Sequence, residues 1–227
     1  MKAIIKTAVL GLLCCIAMTG CEVFGLEFQQ PYKYDYEAGM PSNKIEMTTY
    51  EFIQSRPDIF SLLLEAIDYA GMKSDFEQQH MTYLLPTNKA LSSDTSSDLS
   101  YFQTHGVEYF DEELGEMATY APTSMTFYPK QQVIDFLQYH IVKGEYTHTN
   151  FPAEPTWFET CAPADTAYVN IYILKDRNPN TTFNNFDGHY KSTIKPRTGN
   201  LYATGNSSYM HVLDSWLDRP TQKQINK

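Results

Sequence analysis

Between residues 58 and 71 the apolar positions recur at the spacing of one helix face. Phe60, Leu63, Leu64, Ile67 and Ala70 fall on that face. Asp58 is placed to cap the start, and Gly71 to end the helix in the left-handed geometry that glycine adopts most easily. Just upstream, Thr48-x-x-Glu51 has the form of a capping box, for a short helix that must stop before Pro57. Lys130–Val142 repeats the helical pattern through Val133, Ile134, Leu137 and Ile141, with Phe136 and His140 beside the stripe. The C-terminal third changes period. In Thr166–Leu174, Val169, Ile171 and Ile173 alternate with Tyr168, Asn170 and Tyr172, which predicts a strand. Gly188–Lys195, Asn200–Thr204 and Tyr209–Trp216 read as further strands separated by turn residues. Helices early and strands late predict a segregated α+β domain, a helical layer packed on a small β-sheet wedge or sandwich.

Met81–Leu91 lies between the two regimes. It opens as a strand through Thr82 and Tyr83, and Pro86 should end the pairing because it has no N–H to donate. Thr87 or Asn88 can cap the helical turn that follows, with Ala90 and Leu91 facing inward. This stretch resembles the first motif of fasciclin-type (FAS1) domains. Three more segments stand in the order that family requires. Ile59–Met72 is similar to its opening helix, closing on Ala70-Gly71-Met72, and Phe136–Gly144 resembles its central Tyr-His segment, here Tyr139-His140. Tyr209–Leu217 resembles the closing strand, with His211 and Asp214. Leu85 replaces the usual alanine, Ser208 stands where a glycine is expected, and the segments between motifs run long. The resemblance implies one domain over residues 48–219. It implies that Thr82, Pro86, Thr87, Asn88, Tyr139, His140, His211 and Asp214 are fold-holding positions, with neither a catalytic set nor a cofactor. The role it implies is adhesion or protein–protein contact at the cell exterior.

The ends of the chain add a location. Lys2 and Lys6 precede an apolar run, Ala8–Met18, that is too short for a permanent span. Met18-Thr19-Gly20-Cys21 then resembles a bacterial lipobox, so residues 1–20 are read as a signal and Cys21 as the lipidated N-terminus; the weaker alternative is an ordinary secretory signal with a chance cysteine. More than one acyl chain on Cys21 would hold the protein to a membrane. Residues 21–47 read as a tether carrying Phe24, Phe28, Tyr32, Tyr34 and Tyr36, more rings than a solvated spacer needs, and 220–227 as a polar tail. With Cys14 and Cys15 removed in the signal, Cys161 has no intramolecular disulfide partner. The formal charge is −10, and it becomes −12 when Lys2 and Lys6 leave, which argues against a nucleic-acid partner. Lipobox and aromatic tether together look like lipoproteins of Bacteroidetes, anchored at the outer membrane, that accompany TonB-dependent importers. That gives an alternative role: an accessory subunit that meets such a transporter and its lid lipoprotein, or binds glycan or peptide. The membrane face stays open.

Candidate chemistry is sparse. His140 and His211 could be imagined as an acid–base pair, but a buried histidine satisfied by backbone is favoured. No Gly-x-Ser-x-Gly elbow, His-Glu-x-x-His helix or phosphate loop occurs, and no enzymatic activity is expected. Asp176, Asn178, Asn180, Thr182, Asn184 and Asp187 match the ligand spacing of a calcium loop. Thr181 sits where that loop needs glycine, so an Asn-rich turn between strands is favoured over a metal site. Asp111–Tyr120 reads as helical, its Asp111, Glu112, Glu113 and Glu116 forming a solvated acidic face. Cys161, with nothing cationic near it in sequence, reads as inert. Of the many aromatic residues, Tyr120, Phe127, Tyr128, Tyr146, Phe151, Trp157 and Phe158 lie in stretches that read as loops, and are the expected partner-contact positions after those of the tether. The lipid assignment is checked by fractionation. Cys21→Ala should move the protein from membranes to the soluble fraction; recovery of that variant with salt-washed membranes at the wild-type level would refute it.

Overall fold

The computed structural model describes the backbone at 22–23 and 26–27, and the chain over 43–93, 99–174, 180–191 and 194–226. Glu22–Val23 (β1) and Leu26–Glu27 (β2) pair antiparallel in a unit of their own. The domain occupies the unit that begins at Asn43. Its first strand, Lys44–Ile45 (β3), lies in the stretch assigned above to the tether, because it runs parallel to Tyr202 and Ala203 and adds an edge to the main sheet.

That sheet has five strands in the order β3-β11-β12-β4-β7. Met81–Pro86 (β4) pairs parallel with Ser208–Leu213 (β12), and antiparallel with Ile141–Lys143 (β7). Pro196–Ala203 (β11) forms an antiparallel hairpin with β12. A second sheet holds Thr156–Glu159 (β8), Tyr168–Leu174 (β9) and Asn180–Phe183 (β10) in the order β10-β9-β8.

The central strands are dry on both faces. Tyr83, Leu85, Met210 and Val212 enter one core, shared with Phe60, Leu63 and Ile67 of the helical layer. Their alternates Leu84 and Leu213 enter a second core with Val169, Ile171, Ile173 and Phe183 of the smaller sheet. The period of two along each strand thus separates two apolar layers, and double burial explains why Met81–Pro86 reads as a continuous apolar run. The order is helices, five-stranded sheet, three-stranded sheet: an α+β fold.

The helices follow the sequence pattern with local corrections. Thr49–Ser55 (α1) has the predicted box: Thr48 N–H donates to Glu51 Oε2 at 2.8 Å and Glu51 N–H to Thr48 Oγ1 at 3.2 Å. Pro57–Ala70 (α2) starts with Pro57 in its first turn, where the missing N–H costs nothing; Asp58 does not cap it and instead pairs with Arg56 at 2.9 Å. Gly71, at φ +74°, closes α2. Leu64 is only half-buried, and Ala66 takes a core position instead. Lys130–Tyr139 (α4) ends three residues sooner than predicted, because Ile141 and Val142 join β7 and His140 becomes the cap. Gly188–Lys195 is not a strand: the described residues turn, and Ile194 makes a single bridge to Phe183. Asp111–Tyr120 is not a helix either. Val107–Asp111 (β5) and Glu116–Tyr120 (β6) form a hairpin, with Asp111 Oδ1 accepting from the N–H groups of Glu113 and Leu114 and Gly115 at φ +68°. The side chain of Asp111 therefore builds a turn where a helix would need it idle.

Asn88 opens the short helix Asn88–Leu91 (α3), following Thr87 at the cap position. Neither side chain caps it. Asn88 crosses to α2, which is kinked at Phe60 (φ −124°, ψ 17°). There Asn88 Oδ1 accepts the N–H of Leu62 at 3.0 Å and its Nδ2 donates to Ser61 Oγ at 2.9 Å. A kink frees an amide from the helical ladder, and Asn88 supplies the missing acceptor. Asn88→Ala should therefore destabilise the domain by about 1–3 kcal/mol, while Asn88→Asp, which keeps the acceptor, should lose less. Thermal unfolding of the two variants checks the ordering.

Candidate functional site

The polar side chains of the sequence motifs converge on the rim of the central strand pair. Thr82, on β4, donates to the carbonyl of Gly144 at 2.8 Å and accepts the N–H of Tyr146 at 2.8 Å. His211, on β12 beside it, takes the other half of the same peptide group pair: its Nε2–H donates to the Tyr146 carbonyl at 3.3 Å. Its Nδ1 accepts the N–H of Asn200 at 3.3 Å, holding that residue at φ +61°. Thr82 and His211 together clamp the loop that leaves β7.

Tyr139 and His140 do the same for the segment after β12. Tyr139 Oη–H shares its one proton between the carbonyls of Tyr168 and Asp218, at 2.9 and 3.1 Å. His140 Nδ1–H donates to the Phe136 carbonyl at 2.8 Å, and Nε2 accepts the N–H of Leu217 at 3.3 Å. A carbonyl only accepts and an amide only donates, so His140 carries its proton on Nδ1 and His211 on Nε2. Burial holds both rings near pKa 4, well below the ordinary 6.5, so both are neutral at physiological pH. Thr87 Oγ1 donates to Asp214 Oδ1 at 3.0 Å, and Arg197 lies 3.7 Å from the same oxygen. Pro86 ends β4 opposite Leu213, and the Thr87 N–H completes the ladder to the Leu213 carbonyl at 2.9 Å. His140 and His211 share no reactive centre, since each has both nitrogens engaged by backbone.

The calcium-loop spacing is used otherwise. Asn180 and Thr182 lie in β10, and Asn184 is fully buried at φ +50°. Asn184 Oδ1 accepts from Asn170 N–H at 3.1 Å, while its Nδ2 donates to the Asp218 carbonyl at 2.8 Å and Tyr139 Oη at 3.2 Å. Asp187 sits in a turn; Asp176 and Asn178 lie outside the described residues. Among the described residues no group of three His, Cys, Asp or Glu is arranged for a metal ion. Asn184 is a positioning residue the sequence reading missed, since its spacing pointed to oxygen ligation rather than to a buried amide. Ser208 was also undervalued: its hydroxyl donates to the Gln78 carbonyl at 3.1 Å and accepts the Met81 N–H at 3.2 Å. Cys161 is half-buried, and burial pushes its thiol up.

The aromatic residues divide. Tyr128 and Phe151 lie in loops as expected but are buried in the core, and Trp157 and Phe158 belong to β8. Phe158 packs edge-on to Tyr146 at 4.5 Å, and Trp157 leans on Phe186 at 5.5 Å. Neither projects freely. Phe24, Phe28, Tyr32, Tyr34 and Tyr36 lie outside the residues whose side chains are described, as does Cys21. The rings that do stand in solvent are Tyr120 and Phe127, joined by Tyr109, Phe110, Leu114 and Met117 of the β5–β6 hairpin. The β-prone runs on either side of Gly115 signalled that hairpin, and the acidic cluster masked it.

The match to a protein-family model agrees with this architecture. A family model, that of the fasciclin domain, matches residues 58–218. Among solved structures, the chain is similar to a FAS1 domain pair from the insect cell adhesion molecule fasciclin I. The two share 15% identity and a TM-score of 0.48, over 79% of this chain and 52% of that one. The chain thus spans about half the length of that pair. No curated protein matches.

The two neutral histidines set a pH dependence. Their folded pKa values lie below the unfolded one, so their contribution is complete above pH 6.5 and is lost as pH falls toward 4. Each ring accounts for about 3 kcal/mol over that window. Melting temperature should fall between pH 7 and pH 4, and His140→Gln/His211→Gln should flatten the slope. His211→Ala alone should cost on the order of 1–3 kcal/mol at neutral pH. An unchanged slope in the double variant would assign the acid sensitivity elsewhere.

Proposed function

Because the chain belongs to the fasciclin domain family, we propose that it is a non-enzymatic binding protein of a bacterial envelope, anchored by lipid on Cys21, that works by contact with another protein. Fasciclin domains are typically adhesion-type domains without catalytic activity. The observation that carries the reading is the use made of the motif side chains. Thr82, Tyr139, His140 and His211 bind backbone groups of their own domain, and Thr87 binds Asp214. The groups best suited to acid–base work are occupied in holding loops, which leaves the outer surface as the working part.

A finer version makes the partner a membrane transporter of the TonB-dependent type, with this chain as accessory subunit. The alternation of Tyr32, Tyr34 and Tyr36 supports it, since in an extended segment those rings project on one side, as in added-strand or groove-binding peptides. Pro31 and Pro41 restrict the unbound chain and lower the cost of ordering it. The test compares hydrogen exchange across Phe24–Tyr36 in the isolated full-length protein and in complexes cross-linked in native membranes. Fast exchange alone and slow exchange in the complex is expected. A protein that remains uncross-linked in native membranes, with exchange unchanged along its whole length, would overturn the binding reading.

A further inference from the structure

The β5–β6 hairpin stands apart from both sheets. It is a sheet of two strands, and among the described residues neither strand has a second neighbour. Directly opposed residues share a face, which puts Phe110 beside Met117 on one side and Tyr109 with Tyr120 on the other. Phe110, Met117 and the turn residue Leu114 are 59%, 62% and 70% exposed. Tyr120 continues the second face into exposed Phe127, at a ring distance of 6.2 Å. A hairpin apolar on both sides and wet on both gains little from its own packing, and a pair of strands is marginal alone. Large exposed apolar side chains gathered in one place mark contact surfaces.

The hairpin is nonetheless preformed. Asp111 Oδ1 accepts from the N–H groups of Glu113 and Leu114 at 2.9 and 3.2 Å, fixing the tip. At the base, Tyr128 Oη donates to the His105 carbonyl at 2.6 Å, and Gly106 lies so close to Thr119 that a Cβ there would meet its methyl at 2.3 Å. Order present before binding is order that binding need not supply.

Charge identifies the occupant. Glu108, Asp111, Glu112, Glu113 and Glu116 surround the apolar residues, and the sequence has no lysine or arginine between Lys89 and Lys130. Among the described residues none of these five carboxylates has an ion-pair partner. We propose that the hairpin is a docking finger for a protein surface with an apolar slot for Phe110 and Met117 and a rim of lysine and arginine facing the carboxylates. An anionic lipid surface would repel those carboxylates. A second copy of the chain would bring its own net negative charge against them. The proposal rests on the binding reading above and names the element of the fold that carries it.

Hydrogen exchange over residues 107–120 tests it, on the full-length protein in native membranes, in liposomes of the extracted lipids, and alone at two concentrations. In native membranes these amides should slow by more than about tenfold relative to the isolated protein. The protection should vanish in Phe110→Ser/Met117→Ser, in Glu112→Lys/Glu113→Lys, and on raising NaCl to roughly 0.5 M, where exposed charges are screened. All four substituted residues are exposed, and unchanged melting temperatures would establish that the variants fold. Protection by liposomes alone would make the occupant lipid, and protection that grows with concentration of the isolated protein would make it a second copy. Protection that survives both salt and charge reversal would remove the basic rim. Each of these outcomes overturns the proposal. Membrane cross-links that persist with the hairpin unprotected would overturn the finger and leave the binding reading standing, whereas loss of every cross-link would sink that reading first.

Discussion

Everything near the centre of this domain answers to one constraint: β4 and β12 lie side by side with apolar layers above and below, so water cannot serve any polar group there. The sheet itself satisfies the strand backbones. What remains are loops and chain ends that pass close to the dry layers, and the motif side chains exist to satisfy them. Thr82 and His211 share Tyr146, one taking its N–H and the other its carbonyl. Tyr139, His140 and Asn184 hold Leu217 and Asp218 in the same way. A neutral imidazole suits this work because it offers one donor and one acceptor at fixed separation, and burial keeps it neutral.

Legibility followed physical period and not chemical identity. The face of α2, the alternation in β9 and the Thr48–Glu51 box were readable because each is a local arrangement whose residues sit within a few positions of one another. The roles of Thr87 and Asn88 were not readable. Both have the chemistry of a helix cap, yet their partners are Asp214 and Leu62, a distance of 127 and 26 residues along the chain. The same limit explains Asn184, whose oxygen looked like a metal ligand in a run of alternating Asn and Asp. Its amide is instead divided among Asn170, Asp218 and Tyr139. For the hairpin, four carboxylates suggested a solvated helix face, while the turn depended on one of them, Asp111, bonding to the amides just ahead.

Inside and outside thus divide the labour of the polar and apolar residues. Histidine, threonine and asparagine are withdrawn into the core region, while Phe110, Leu114 and Met117 are placed in water on the hairpin. The first arrangement is costly unless every bond is made, the second unless something covers it.

The strand order β3-β11-β12-β4-β7 also has a temporal side. β4 is made early, but its neighbour on one flank is among the last segments of the chain: Thr82 faces Tyr209 across the parallel ladder. Until β12 pairs with it, β4 has one unpaired edge and the His211 ring has not reached the loop it clamps. Closure of the sheet's centre therefore waits on a pairing between segments far apart in sequence. Pairings so distant in sequence form slowly. A chain without the segment 208–213 would lack its centre, not its margin.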